Sequence, residues 1–359
     1  MPLPRPSPVG HLEPSSTRGH VRIGILAVAV FGFLVGACLV IHYGAREIIG
    51  ALVGIRWGML AIVAAHFAQV WLSGRGWYSI GRLEHIRPAR AFVLARWISE
   101  AVGGLLPLTQ LGGEVIAVRI VALHGATTGL AVSTLIADLG AQIASQVIFT
   151  GVGLAMLLVD GHQGPIIEWA VVGLGLLLSV LPAIFWAARR GVFQAAERLF
   201  TDLAGRVPAL RDIAIEGLHD SLQRIMRQPI GLLLSFNAHL LSWLIGAIEI
   251  WVILYFLGSE IDLREAVVLE SLSQVIRGLA FAIPGSLGVQ EGGLILLGAI
   301  YGLSPQICLA LSLAKRAREL LLGIPALLIW QYLEGRRWWA HKNTLISSVK
   351  ADTQQISSE

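Results

Sequence analysis

A chain of 359 residues that is 55% hydrophobic and only 14% charged lacks the charged surface that a soluble domain of this length needs. A mean hydropathy of +0.71, forty glycines and eleven tryptophans fit membrane helices, where glycine permits close packing and tryptophan anchors at the interface. The net charge of +4 does not indicate a nucleic-acid partner, because the basic residues sit mainly in short loops flanking apolar runs, the pattern that sets membrane orientation.

Residues 1–20 read as a disordered cytoplasmic N-terminus. Runs of about 20 apolar residues, enough to cross roughly 30 Å of hydrocarbon, then predict six spans near 21–42, 52–72, 128–158, 166–188, 230–257 and 305–331. Val35-Gly36-Ala37-Cys38 weakly resembles a lipoprotein cleavage box. The apolar run continues past it to Tyr43 and further spans follow, so an uncleaved first helix is expected. Cys38 and Cys308 each lie in an apolar stretch and read as inert packing residues, not as a disulfide or metal pair.

Two further apolar regions, 91–124 and 265–302, are interrupted by proline and glycine. The first reads Leu106-Pro107-Leu108-Thr109-Gln110-Leu111-Gly112-Gly113-Glu114, and the second Ile283-Pro284-Gly285-Ser286-Leu287-Gly288-Val289-Gln290-Glu291. Proline lacks the donor that continues a helix and disfavours helix in the residue before it, so each region reads as two half-helices around a turn. Broken backbone at membrane depth survives only when buried in protein or lining a wet cavity. Basic residues before the first span, after the second, in 189–228 and in the tail 336–359 place both termini in the cytoplasm. The balance requires each broken region to be re-entrant, the first opening from the cytoplasm and the second from the opposite face. The segment 189–228, with Val192, Phe193, Leu199, Phe200, Leu203 and Leu210 among its arginines, reads as an amphipathic helix on the membrane surface.

A constant offset of 177 residues relates the two broken regions. It carries Pro107 onto Pro284, Glu114 onto Glu291, Gly125 onto Gly302, and the spans at 52–72 and 128–158 onto 229–249 and 305–335. The fold expected is an all-α polytopic membrane protein with six spans and two broken hairpins, built as membrane repeats over 21–160 and 161–335. Three crossings per half is odd, so the halves are inverted, an architecture of transporters. Two unrelated proline-glycine kinks in a helical bundle are the simpler alternative.

Charged residues are frequent inside these regions, although each costs about 2.5 to 3.5 kcal/mol at a helix centre. Arg96 and Glu100, four apart, share a helix face. Glu114 and Arg119 follow the first break, Asp138 lies in the third span, and His239 and Glu249 lie in the fifth. Glu270, Arg277 and Glu291 surround the second break, and the last span holds Lys315, Arg316, Arg318 and Glu319. The offset superposes Glu100 on Arg277 and Asp138 on Lys315, opposite charges that predict two ion pairs across the repeat. Snorkelling to the interface is the alternative for Arg96 and for Lys315 to Glu319. Amides of half-helix starts at Gly112-Gly113 and at Gly285 and Gly288 could attract an anion. Glu114 and Glu291 could cap those amides or bind a proton or cation. His66 and His239 either shuttle protons or hydrogen-bond a neighbouring helix. No nucleotide loop, metal spacing or nucleophile motif is present, and no cofactor is expected.

Gly112-Gly113-Glu114 with Arg119 resembles the Gly-Gly-acidic motif of the flippase-like family typified by the membrane part of lysylphosphatidylglycerol synthases. Pro284-Gly285-Ser286-Leu287-Gly288-Val289-Gln290-Glu291-Gly292 is similar to that family's second signature. Arg96-Trp97-Ile98, Leu106-Pro107 with Gln110, and Ala314-Lys315-Arg316-Ala317-Arg318-Glu319-Leu320 most resemble its hopanoid-biosynthesis-associated branch. The resemblance implies movement of a lipid, with a hopanoid as cargo in that branch, across or out of the bacterial inner membrane. A coupling ion or proton would be a further partner. Since the chain ends soon after its last span, the aminoacyl-transfer domain is expected to be absent. The expected lipid path comprises Glu100, Gln110, Gly112, Gly113, Glu114, Arg119, Asp138, Arg277, Pro284, Gly285, Gly288, Glu291, Lys315, Arg318 and Glu319. A membrane enzyme using carboxylates as acid and base, or a scaffold for lipid synthesis, is the competing expectation.

Overall fold

In a computed structural model the described residues are 53–106, 110–161, 165–190, 217–279 and 288–356, with a few isolated positions between them. They form ten helices and no strand: α1 (Gly58–Leu83), α2 (Ala89–Leu105), α3 (Gln110–Ala122), α4 (Thr128–Val159), α5 (Pro165–Arg189), α6 (Leu218–Met226), α7 (Pro229–Phe256), α8 (Leu263–Leu279), α9 (Val289–Ile300) and α10 (Pro305–Ile356). The expected N-terminus and first span, 1–42, lie outside the described residues.

Local chemistry sets the boundaries. α2 ends at Leu105 because Leu106 precedes Pro107 and is held extended, at φ −93° and ψ 150°. Thr127 starts α4 by accepting the Leu130 amide at 3.2 Å, and Pro229 occupies the first turn of α7. Asp262 and Glu265 cap α8 reciprocally, each carboxylate accepting the other's backbone amide at 2.8 and 2.9 Å. Gly125 and Gly302, which follow the ends of α3 and α9, both have positive φ, 104° and 70°.

α4 and α7 are long and apolar enough to cross a membrane by length and composition. The bundle exposes large apolar side chains while burying charged ones: Ile148 and Val152 on α4, Leu233 and Leu241 on α7, and Leu320 and Leu328 on α10 are exposed, while Asp138, Glu249 and Glu270 are buried. α1 lies along α7, α4 against α8, and α10 against α2. The α1–α7 seam is close because Gly231 meets Ser79 and Ile80 while Gly76 meets Ser235 and Ala238, and Ser79 Oγ donates to the Gly231 carbonyl at 2.8 Å. One apolar cluster joins Ile62, Leu154, Ile250, Leu269 and Leu311; another joins Trp77, Phe92, Ile98, Val121 and Leu135.

Two helices run beyond the expected spans. The helix expected to stop near residue 72 runs to Leu83, so Arg75 and Arg82 lie on it; the Arg75 guanidinium sits 5.7 Å over Trp71 and 5.4 Å over Tyr78. The last helix continues to Ile356, beyond the span expected to end near 331, so helix fills most of the expected tail. In the segment 189–228, Leu218–Met226 is one-sided: it buries Leu218, Leu222 and Ile225 and packs against α4, while Asp220 and Arg224 are exposed. Of the apolar residues expected on the membrane face of this segment, only Val192 is described, and it is exposed.

Candidate functional site

Two buried ion pairs of opposite polarity brace the interior. On α2, Arg96 donates through Nη2 to Asp138 Oδ2 on α4 at 2.5 Å and through Nη1 to Glu114 Oε1 on α3 at 3.2 Å. On α10, Lys315 Nζ donates to Glu270 Oε2 on α8 at 2.9 Å. Asp138 also accepts Ser235 Oγ at 2.6 Å and lies 3.1 Å from His239 Nε2, both on α7.

The expected pairs across the repeat, Glu100 with Arg277 and Asp138 with Lys315, are not the direct contacts. The short Asp138 side chain is held between Arg96 of α2 and Ser235 and His239 of α7. Lys315 is taken by Glu270 within its own half. Glu100 instead meets His66 Nε2 at 2.6 Å, and Arg277 faces Glu319 at 3.6 Å. Arg96 reaches across to other helices and is not bonded to Glu100 on its own.

A second network centres on Glu249. Its Oε1 lies 2.7 Å from Arg318 Nε, and its Oε2 accepts Gln69 Nε2 at 2.6 Å and lies 3.4 Å from His66 Nδ1. His66 and His239 are therefore both tied to carboxylates on neighbouring helices. Isolated buried charges would be prohibitively costly, and these are sustained by mutual pairing and hydrogen bonding.

Between these networks lies a cavity of ≈ 250 Å³ lined by seven of the ten helices. His66, Gln69 and Ser73 of α1, Arg96, Glu100 and Gly104 of α2, Glu114 of α3, and Gln142 and Gln146 of α4 form one side. Trp243 of α7, Glu270, Gln274 and Arg277 of α8, and Arg318 of α10 form the other. About 10–15 Å³ of such volume holds one water, so this chamber admits a sizeable polar group. A narrow crevice continues from it between α2 and α10, lined by Trp97, Leu105, Glu319, Leu322 and Gly323 together with Glu100 and Arg277.

Of the expected path residues, Glu100, Glu114, Arg277 and Arg318 line the cavity and Glu319 lines the crevice. Asp138 and Lys315 stand behind its wall as partners of Arg96 and Glu270. Gly112 and Gly113 fall within the first turn of α3, one turn later than a connecting loop, and Gly113 passes against the Ser99 carbonyl of α2. Glu291 caps α9, its Oε2 accepting the Gly288 amide at 2.7 Å, while its Oε1 accepts Ser312 Oγ at 3.1 Å. Glu114 binds Arg96 rather than capping. Arg119 is not brought to the cavity: it is exposed and forms a two-pronged pair with Glu334 at 2.8 and 2.9 Å. Pro284, Gly285 and the Gln110 side chain lie outside the described residues.

Sequence reasoning missed the amides and hydroxyls of the wall. Their signal is helical spacing of polar residues within apolar runs: His66, Gln69 and Ser73; Gln142 and Gln146; Glu270, Gln274 and Arg277.

No solved structure matches the chain. A "UPF0104 membrane protein" of Methanothermobacter thermautotrophicus is 22% identical over 295 residues, covering 77% of this chain and 84% of that protein. The family described as "Lysylphosphatidylglycerol synthase TM region" matches residues 22–326. That match spans most of the chain, including both ion pairs and every described residue lining the cavity, and the protein belongs to this membrane-protein family.

Proposed function

We propose that the protein is a lipid translocase of the bacterial inner membrane, in which the cavity receives a polar headgroup while the apolar body of the lipid stays in the surrounding hydrocarbon. The carrying observation is the chamber itself, lined with charges and amides from both halves of the chain inside a bundle whose outer face is apolar. The crevice lined by Trp97, Leu105 and Leu322 offers an apolar continuation of the same space. Membership of a family described by the membrane region of a lipid-modifying synthase supports a lipid as cargo. A hopanoid is the cargo that the branch resemblance implies.

An inverted repeat, with both termini cytoplasmic and two re-entrant hairpins, is the architecture proposed. Helices α1 to α4 recur in kind and order as α7 to α10. The contact of α4 with α8 has its counterpart in α10 with α2. Gly125 and Gly302, related by the offset, share positive φ.

A membrane enzyme acting on lipid headgroups, or a scaffold for such enzymes, is the second reading, favoured by the acid–base groups on the wall. Lipid inventories of cells with and without the protein separate them. Altered leaflet or membrane distribution with unchanged headgroups supports translocation, and altered headgroup chemistry supports catalysis.

A further inference from the structure

We infer that Glu100, His66 and Glu249 form a proton-binding site that opens onto the cavity through Glu100. An ionised carboxylate only accepts hydrogen bonds, and a neutral imidazole has one donor and one acceptor nitrogen. The Nε2 of the His66 ring is hydrogen-bonded to Glu100 at 2.6 Å, and Nδ1 lies 3.4 Å from a Glu249 oxygen, an ion-pair separation without a hydrogen bond. With both glutamates ionised, a ring protonated at Nε2 alone would turn the bare Nδ1 lone pair toward the Glu249 carboxylate, whereas the doubly protonated ring sets a positive N–H against each carboxylate. If one glutamate carries the proton instead, the neutral ring accepts from that acid and donates to the other. In either arrangement the triad holds one proton beyond a neutral ring between two carboxylates.

The surroundings supply no substitute for that proton. Glu249 is matched by Arg318 Nε at 2.7 Å. Arg96 is committed to Asp138 and Glu114, Glu270 is matched by Lys315, and Arg277 faces Glu319. Glu100 has no hydrogen-bond partner besides His66 among the described residues. Its side chain is 35% exposed, against 10% for His66 and 2% for Glu249, so it is the door to the cavity. On release, the proton passes from the ring to the Glu100 carboxylate and from there to cavity water, taking the triad from one net negative charge to two. A wall that changes charge in this way lets proton binding and cavity occupancy influence each other. The inference rests on ion-pair geometry and holds whether or not lipid is moved.

The test uses the full chain in phospholipid nanodiscs, with nitrogen-15 in histidine and carbon-13 in glutamate, observed by solid-state NMR. His66 is assigned by the resonances lost in His66→Gln, or by those shifted in Glu249→Gln if the first variant does not fold. At about pH 7 the expected spectrum has both His66 ring nitrogens protonated, or a neutral ring beside a protonated glutamate. Glu100→Gln is expected to reduce the doubly protonated population at least about tenfold. A neutral His66 ring with every glutamate ionised would overturn the inference, as would a spectrum indifferent to Glu100→Gln.

Discussion

Asp138 and Lys315 each stand ten residues in from the first residue of their helices, Thr128 and Pro305, and carry opposite charges in ion pairs of opposite polarity. Each is held by a residue of a preceding helix, Arg96 of α2 for Asp138 and Glu270 of α8 for Lys315. The two halves thus share a brace while inverting its sign, so the interior is stitched without concentrating one charge. Geometrically the braces tie α2 to α4 and α8 to α10, which fixes the two opposing walls of the cavity.

Removing one partner of such a brace leaves a buried charge unmatched, which costs about 3–5 kcal/mol, whereas removing both is often near neutral. Lys315→Met is expected to lower thermal stability in detergent or nanodiscs by several degrees, and Lys315→Met with Glu270→Leu to recover most of the loss. Thermal unfolding followed by intrinsic fluorescence checks this; a double variant no better than the single one contradicts the brace.

Asp138 should be less forgiving. Its carboxylate serves Arg96, Ser235 and His239 together, so Asp138→Asn disturbs three partners on two helices. Pairing it with Arg96→Gln is expected to restore only part of the stability, because Glu114 then loses its own cation. Full recovery in the double variant would show that Glu114 does not depend on Arg96.

The glycines at the first hairpin separate packing from passage. A Cβ on Gly113 would lie 2.3 Å from the Ser99 carbonyl oxygen, and backbone cannot move aside cheaply. Gly113→Ala is therefore expected to loosen α2 from α3 and destabilise the fold by about 1–3 kcal/mol. Gly104 lines the cavity with nothing within 4 Å of its would-be Cβ. Gly104→Phe is expected to fold, with an unfolding midpoint close to that of the parent, while filling the chamber.

Arg119 and Glu334 pair at the surface, with the arginine side chain 59% exposed. Exposed pairs contribute about 0–1 kcal/mol. Arg119→Ala is expected to leave both stability and lipid movement close to those of the parent; a loss of movement as large as that from a cavity residue would return Arg119 to the path.

Helix positions were largely legible in the sequence because hydrophobic run length and proline report them directly: α4 and α7 begin and end within a residue of the expected spans, and Leu106 stops α2 ahead of Pro107. The offset also aligned Asp138 with Lys315, which stand at the same depth in their helices. Their partners were not legible. A pair depends on which helices abut, and the contacts that bring Arg96 of α2 to Asp138 and Glu270 of α8 to Lys315 could not be read from an offset. The reach of Arg75 over Trp71 and Tyr78 likewise hid the last turns of α1 behind charges that resemble a loop. Glu114 and Glu291, equal in sequence, differ in role because Arg96 claims the former and the Gly288 amide the latter.

The claim that the cavity carries a lipid headgroup is tested most directly by reconstituting the protein in vesicles with fluorescent phospholipid and hopanoid probes in one leaflet, and following their appearance in the other. The account predicts movement dependent on the protein, abolished by Gly104→Phe and reduced at least about tenfold, or about 1.4 kcal/mol in the barrier, by Arg277→Gln, with both variants folded. Movement unchanged when the chamber is filled, or absent for every lipid tested with the parent protein, would contradict it.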